Sequence, residues 1–405
     1  MEISSDYHWI NLTSEDGNFM FGYYDRNPWD EKCELHLALK IPQQERLPLP
    51  GEKADVGFIP LTDRKFVKVS ETRAWCHQQG AMSLWLKHIA GAFIFNDYMP
   101  EERRLCARIF NITGIEIGRY EKAIYSISPD GRYGISINVG RIPRRGYSYA
   151  DVPLDREPQL PDLDEEGVFI TDLQNGRIRM LASYRQLLKT HPCPYSIDGM
   201  HVWVDHAIFN MDSSKVMFLL RECKDKYDPW PWRTHLFTMD IDGENLKCLL
   251  PDLFWRGGAI SHHIWGRTPN EIIIDANWFG DGHKYVVIDE SSSSFRATRI
   301  SDGFGPMGHL AFSPDERYLA ADTYPDKKGM QLLGIVEVSS GRIIELGHFH
   351  HASGVPTDMR CDLHPRWSGN GRYLTVDSIH DSKRNIYLLD ISSVPTLKKE
   401  IDVTC

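Results

Sequence analysis

Four histidines stand at a fixed distance from an aromatic or apolar strand residue in this 405-residue chain. His206, His262, His309 and His364 each lie three positions before Phe209, Trp265, Phe312 and Trp367. Ten residues after the last three of those aromatics come Asp275, Asp322 and Asp377, so His-x12-Asp recurs three times in succession. Imidazole is the commonest metal ligand, and a carboxylate behind it fixes its tautomer. Cys361, three residues before His364, adds a soft donor. His262, His309, His364 and Cys361 therefore form a candidate site for Zn²⁺ or Mn²⁺. The same repetition supports a plainer role, in which each His tethers its own hairpin through its Asp.

Three further segments carry chemistry. "WCHQQGAMSLWL" places His77, Gln78 and Gln79 just before a strand, and "FIFNDYMP" ends the following strand with Asn96 and Asp97. If the two strands form a hairpin, His77 and Asp97 lie close together. That pair falls outside the repeated register, which makes it the leading catalytic candidate. "GRIPRRGYSY" holds Arg144, Arg145, Tyr147 and Tyr149. Arginine offers bidentate recognition of a carboxylate, and tyrosine offers a phenol for proton transfer. "RECKDKYDPWPWRTH" sets Arg221 near Trp230, a pairing suited to a sugar face. No G-x-S-x-G, P-loop, G-x-G-x-x-G or H-E-x-x-H motif occurs, so neither a nucleotide cofactor nor a zincin site is indicated.

The elements that must position these residues repeat. A short apolar strand, an SPDG-like turn, an alternating strand, a third strand ending in Asp, and a fourth strand recur along the chain. "YSISPDGRYGISIN", "HLAFSPDERYLAADT" and "HPRWSGNGRYLTVDS" are the clearest copies. Seven units are discerned, at about 20–70, 78–120, 122–185, 203–250, 260–298, 307–347 and 361–402. Four strands per unit at this spacing indicate an all-β fold, a seven-bladed β-propeller forming one domain over 1–405. "ASYRQLLKT" at 182–190 reads as a short helix, and polar, Pro-rich 139–166 as a long surface loop. Ring closure is expected from the C-terminal "TLKKEID" as an outer strand.

The net charge of -10 argues against a nucleic-acid backbone as partner, because phosphate binding needs a basic face. No apolar run approaches a membrane span. The N-terminus has neither a basic nor an apolar leader region, so the chain as written reads as cytoplasmic, or as periplasmic or secreted if a signal peptide has been removed. Eight scattered cysteines without a C-x-x-C motif fit reduced thiols.

"FGYYDRNPW", "HQQGAMSLWL", "YSISPDGRYGISIN", "GHLAFSPDERYLAADTYPD" and "RCDLHPRWSGNGRYLTVDSIH" together resemble the TolB-like seven-bladed propellers of the oligogalacturonate-lyase-like and ulvan-lyase-like group. The resemblance implies β-elimination on an acidic oligosaccharide or polysaccharide containing uronic acid. His and Tyr would serve as base and acid, Arg would neutralise the carboxylate, and a divalent metal would lie nearby. By that resemblance His77 is one catalytic His, the Tyr falls on Tyr147 or Tyr149, and Arg144, Arg145 and Arg221 compete for the Arg, while Asp97 joins the catalytic set through its hairpin pairing with His77. Gln78, Gln79, Asn96, Arg144, Tyr149 and Trp230 then contact substrate. The acidity of the C5 proton sets the physical requirement: its removal builds an enolate-like dianion that positive charge must stabilise. Such lyases are expected to carry a second His about twenty residues after the first, where this chain has Asn96 and Asp97. The same residues therefore also fit a non-catalytic glycan- or protein-binding propeller, or a glycoside hydrolase of the rhamnosidase type.

Overall fold

Each copy of the Ser-Pro-Asp turn is built the same way. Ser128 Oγ accepts the Tyr133 N–H at 2.9 Å and donates to Asp130 at 2.5 Å. Ser313 and Ser368 repeat both contacts with Tyr318 and Asp315, and with Tyr373 and Asn370. The fourth turn residue is left-handed, which suits Gly131 and Gly371, while Glu316 adopts it at φ 60. These turns join the two inner strands of three blades.

The computed structural model describes residues 3–13, 15–154, 163–191, 199–257, 260, 262–292, 297–305, 308–351 and 354–397. Seven antiparallel four-stranded sheets stand in a ring, a seven-bladed β-propeller. Six sheets use consecutive strands, running from Asn18–Met20 to Val67–Thr72, Leu84–Trp85 to Glu116–Tyr120, and Ser126–Ile127 to Ile178–Ser183. They continue from His201–Phe209 to Lys247–Leu250, His263–Trp265 to Ala297–Asp302, and Leu310–Phe312 to Arg342–His350. The seventh holds Arg366–Trp367, Tyr373–Ser378 and Asn385–Asp390, and its outer strand is the N-terminal Ile10–Asn11. This corrects the expected closure by "TLKKEID", which lies mostly outside the described residues. Ile10 pairs with Leu388, and Leu12 N–H donates to Ile386 O at 2.8 Å. Trp9 and Leu12 are buried and anchor the strand in the core between blades.

The repeated Asp serves mainly to join blades. Asp275 accepts the N–H of Gly308 and Asp322 that of His364, each just before the next inner strand, and Asp377 accepts that of Phe21, directly after Asn18–Met20. Asn96 does the same to Ile124, with Oδ1 accepting the N–H at 2.9 Å and Nδ2 donating to the carbonyl at 3.0 Å. A strand end at the channel sits beside its own partner and beside the neighbouring blade, and the unpaired N–H of that neighbour takes the carboxylate. Of the three expected His–Asp side-chain pairs, His309–Asp322 forms, at 3.0 Å. Asp275 bonds His283 instead, and Asp377 bonds Arg366 and Arg384.

The helix expected within 182–190 forms over Tyr184–Thr190, capped by Ser183 with Gln186 completing a capping box. A second helix, Asp252–Gly257, escaped sequence reading. The described part of 139–166 is not a solvated loop. Val139, Arg141, Ile142, Tyr147 and Tyr149 are buried, and Arg141 reaches the Val202 carbonyl at 2.9 Å. Residues 155–162 lie outside the described residues. The six described cysteines are free thiols. No helix among the described residues is long and apolar enough to cross a membrane.

Candidate functional site

A cavity of about 1090 Å³ opens over one end of the ring. The bulge within His201–Phe209 supplies His206, the start of His263–Trp265 supplies His262 and His263, the folded-in 144–147 segment supplies Arg144 and Tyr147, and the loop after Lys215–Cys223 supplies Trp230 and Trp232. Tyr23, Arg221, Tyr324, Asp358 and Arg360 complete the inner wall. Backbone strain gathers here: His206 and His364 both sit in the left-handed region, at φ 52 and 47, at a cost of about 1–3 kcal/mol each. Gly308 permits close approach in front of His309, because a Cβ there would lie 1.7 Å from the Asp322 carbonyl oxygen.

Under the cavity, His309 and His364 face each other with Nε2 atoms 3.1 Å apart. His364 Nδ1 donates to the Gly22 carbonyl at 2.9 Å, and His309 Nδ1 donates to Asp322. Both ring N–H groups are therefore committed on the far side. Burial, then His309 and the Arg366 charge, push His364 well below the usual imidazole range, so it is neutral. Two lone pairs cannot rest at this separation; a cation or a shared proton belongs between them. Asp362 brings a carboxylate into the same group, with all three ligand atoms within 4.8 Å of one another. Arg360 holds Asp362 in place through a bidentate pair. Two imidazoles oriented by carbonyl and carboxylate, plus one carboxylate, suit a divalent metal such as Mn²⁺ or Zn²⁺.

This group corrects the expected ligand set. Cys361 does not belong to it: its backbone N–H donates to His351 Nε2 at 3.0 Å, and burial pushes its thiol up to about 12. Asp362, the next residue, lies with His309 and His364 instead. His262 stacks 3.9 Å from His309, centroid to centroid, without joining the group. Burial and the neighbouring His309, His206 and His263 hold His262 well below the usual range, and its ring also bonds the Gly308 carbonyl. It meets Tyr324 Oη at 3.4 Å.

A second chain of polar groups crosses the wall. Tyr23 Oη lies 2.6 Å from His206 Nε2, His206 Nδ1 donates to Asp205 at 2.7 Å, and Arg221 holds the other Asp205 oxygen at 2.9 Å. Burial pushes Asp205 up, but Arg221 and His206 outweigh it and keep it ionised. Arg144 pairs with Asp358 at 2.7 Å and covers the Tyr147 ring at 4.5 Å. Among the described residues the Tyr147 hydroxyl makes no hydrogen bond.

Another trio, His191, Glu222 and His235, has ligand atoms at similar spacing. There the Asp252 N–H donates to His235 Nδ1 at 3.0 Å. That leaves the proton on Nε2, directed at Glu222 at 3.4 Å, which is the wrong tautomer for a ligand.

The residues singled out by sequence divide sharply. Tyr147, Arg144, Arg221 and Trp230 line the cavity. His77 and Asp97 are not a pair: no hydrogen bond joins them among the described residues. His77 Nε2 bonds the Arg46 carbonyl at 2.8 Å, and Asp97 binds the Arg73 N–H and Arg108 in a separate notch between blades. The hairpin argument fails because His77 lies in a turn well ahead of Leu84–Trp85 and not on that strand. Arg145 donates to the Tyr149 and Val152 carbonyls and so folds its own loop. Tyr149 Oη bonds Asn96. Gln78 Nε2 donates to the carbonyls of Thr357 and Arg360, and so holds the segment that carries Arg360. Gln79 bonds Tyr125 Oη, which in turn accepts the His206 N–H. Asp205, His263, Tyr23, Tyr324, Asp358, Arg360 and Asp362 were missed. The "HH" doublet at 262–263 and the Asp-x-His at 362–364 were the available signals.

Solved structures share this architecture. Oligogalacturonate lyase from Vibrio parahaemolyticus superposes with a TM-score of 0.66 at 14% identity, covering 96% of each chain. Oligogalacturonate lyase in complex with manganese gives 0.63 at 14% identity, again over 96% of both chains. The fold is shared with oligogalacturonate lyase. TolB from Acinetobacter baumannii, at 13% identity and a TM-score of 0.42, covers 85% of this chain and 78% of its own. No family model matches the sequence, and no curated protein matches it.

Proposed function

We propose that the protein is a lyase that cleaves uronate-containing glycans by β-elimination, with a divalent metal at His309, His364 and Asp362. The observation that carries this reading is the pair of opposed Nε2 lone pairs directly beneath a cavity lined by arginine, tyrosine and neutral histidine. The shared fold with lyases, one of them a manganese complex, agrees with it. The metal, when bound, supplies positive charge that stabilises the enolate-like dianion. His262, neutral and at the cavity wall, accepts the C5 proton. The Tyr147 hydroxyl, beneath the Arg144 guanidinium, protonates the departing oxygen. Arg221 and Arg144 orient the acidic sugar, while the exposed Trp230 offers a face for a neighbouring ring.

Hydrolysis of the glycosidic bond is less well supported. The two carboxylates lining the cavity, Asp252 and Asp358, each hold an arginine, at 3.0 and 2.7 Å. Both are engaged as ion-pair partners, whereas a glycosidase needs two carboxyl groups free to flank the scissile bond. The test is absorbance near 235 nm, produced by unsaturated uronate, on a panel of acidic glycans with and without added metal. Product formation dependent on metal supports the reading. Tight glycan binding with no product on any of them makes the protein a binding propeller instead.

A further inference from the structure

Every exposed Phe, Trp and Tyr among the described residues lies on one rim of the ring: Tyr227, Trp230, Phe254 and Phe279. Leu253, 79% exposed, directly precedes Phe254. Three consecutive connections carry these residues. Residues 224–232 join Lys215–Cys223 to Arg233–Asp240, the helix Asp252–Gly257 follows Lys247–Leu250 on the way to His263–Trp265, and residues 277–283 join Glu271–Ala276 to Lys284–Asp289. In antiparallel blades all three fall at the same end of the ring, the end where the cavity opens. Trp230, Trp255 and Arg256 line the cavity, whereas Tyr227, Leu253, Phe254 and Phe279 lie outside it. The residues thus form an arc that begins at the cavity wall and runs outward over the fourth and fifth blades. Its parts are tied together. Trp278 Nε1 donates to the Phe254 carbonyl at 3.1 Å, which joins the loop of Phe279 to the helix. The Thr234 N–H donates to Asp252 Oδ1 at 3.0 Å, which joins the helix to the fourth blade. Trp230 packs edge-on against Trp232 with centroids 4.9 Å apart, and Trp232 lies under the Arg144 guanidinium in the cavity.

We infer that this arc is a platform for the part of a polymeric glycan that extends beyond the cavity, so that the ligand is a long chain and not a short oligosaccharide. Apolar side chains gathered on one exposed surface mark a binding face. Continuity with the cavity and the residue types name the occupant. Sugar rings present flat C–H faces that pack on aromatic rings, and rings are what the arc offers. A cavity of about 1090 Å³ encloses one drug-sized molecule, so a longer chain leaves it over a rim. The cation on the helix, Arg256, is already paired with Asp252 at 3.0 Å. The contribution of the arc is therefore apolar, and it grows with chain length instead of charge. This platform rests on the glycan reading of the cavity, but it requires binding alone and no elimination.

The experiment is calorimetric titration of the full chain with digalacturonate and, separately, octagalacturonate. The chain carries His262→Gln, which lacks the proposed base and so keeps the glycan whole. This reference protein binds the octamer at least about tenfold more tightly than the disaccharide. The ratio persists when salt is raised about tenfold, because apolar contact is not screened. Adding Leu253→Ala and Phe279→Ala, both at the surface, leaves thermal unfolding and digalacturonate binding unchanged and weakens octamer binding at least about fivefold. The octamer offers the same number of binding registers to both proteins, so the difference between them reports the arc. Octamer binding by the substituted protein within about twofold of the reference overturns the inference. So does an octamer that binds no more tightly than the disaccharide, or a length preference that high salt abolishes. The competing occupant is a second copy of this chain; a dimer in sedimentation equilibrium that the same two substitutions dissolve overturns the glycan assignment. If the length preference depends on Leu253 and Phe279 but wild type yields no absorbance near 235 nm with any glycan, the lyase reading falls and the platform stands.

Discussion

Removing and restoring the metal tests the centre of the reasoning. The His309 and His364 lone pairs face each other at 3.1 Å. A divalent cation that binds only the folded chain stabilises it by about 2.7 kcal/mol when its free concentration is one hundred times Kd. Unfolding entropy of about 2.1 cal/mol/K per residue, over 405 residues, makes about 0.85 kcal/mol/K. The expected rise in Tm is therefore about 3 °C. Differential scanning calorimetry of chelator-treated protein, with Mn²⁺ or Zn²⁺ added back, measures it directly. His364→Ala removes one donor and with it the shift. The competing occupant is a proton. A shared proton raises an imidazole pKa, and that stability is present below about pH 6.5 and lost as pH rises through the folded value. A Tm that ignores every divalent metal but climbs on acidification refutes the metal centre.

Other consequences follow from the same contacts. Asp322 accepts from His309 N–H at 2.6 Å, His309 Nδ1 and the next blade's His364 N–H, so Asp322→Ala should destabilise by about 3–5 kcal/mol in urea unfolding. Stability unchanged by that substitution would contradict the blade-joining role. Deleting residues 1–11 removes the closing strand, and a marked fall in Tm is expected; an unchanged Tm would mean that closure lies elsewhere. Burial lowers His36 to about 3, and burial with Arg384 lowers His77 to about 4, below the unfolded value near 6.5. Their depressed values make stability fall as pH drops from about 6.5 toward 4, by up to about 1.4 kcal/mol per unit for each histidine. Urea midpoints that stay flat across that window would show that these rings are accessible to protons in the folded state. Trp230 is 69% exposed, so Trp230→Ala should leave Tm alone while weakening glycan binding about two- to tenfold in titration. Undiminished affinity would remove Trp230 from the binding face.

Periodicity and turn chemistry are local, and they were legible. The Ser-Pro-Asp turns, the seven units and the capped helix at Tyr184–Thr190 all follow from residues within one or two turns of each other. The shared register of His262, His309 and His364, each three residues before a strand aromatic, announced a ring of side chains at one end of the channel. It could not say which of them converge. His364, on a left-handed backbone, meets His309 nitrogen to nitrogen, whereas His262 packs its ring against His309 without adding a ligand atom to the group. The carboxylates were visible as a pattern, yet their partners lie on the next blade, a contact that no hairpin argument contains.

The sequence by itself determined the architecture, because alternation and turn residues act over a few positions and the repeat multiplies the signal. Tertiary structure alone decided the chemistry. His77 lies in a turn and bonds the Arg46 carbonyl, while Asp97 bonds Arg73 and Arg108. Arg221, His263 and Tyr147 come from three separate segments and meet at one wall. Closure was decided the same way: Trp9 and Leu12 bury themselves between blades, so the first residues rather than the last complete the seventh sheet. Burial then selects protonation states, since a histidine's charge depends on what surrounds it in space and hardly at all on its neighbours in the chain.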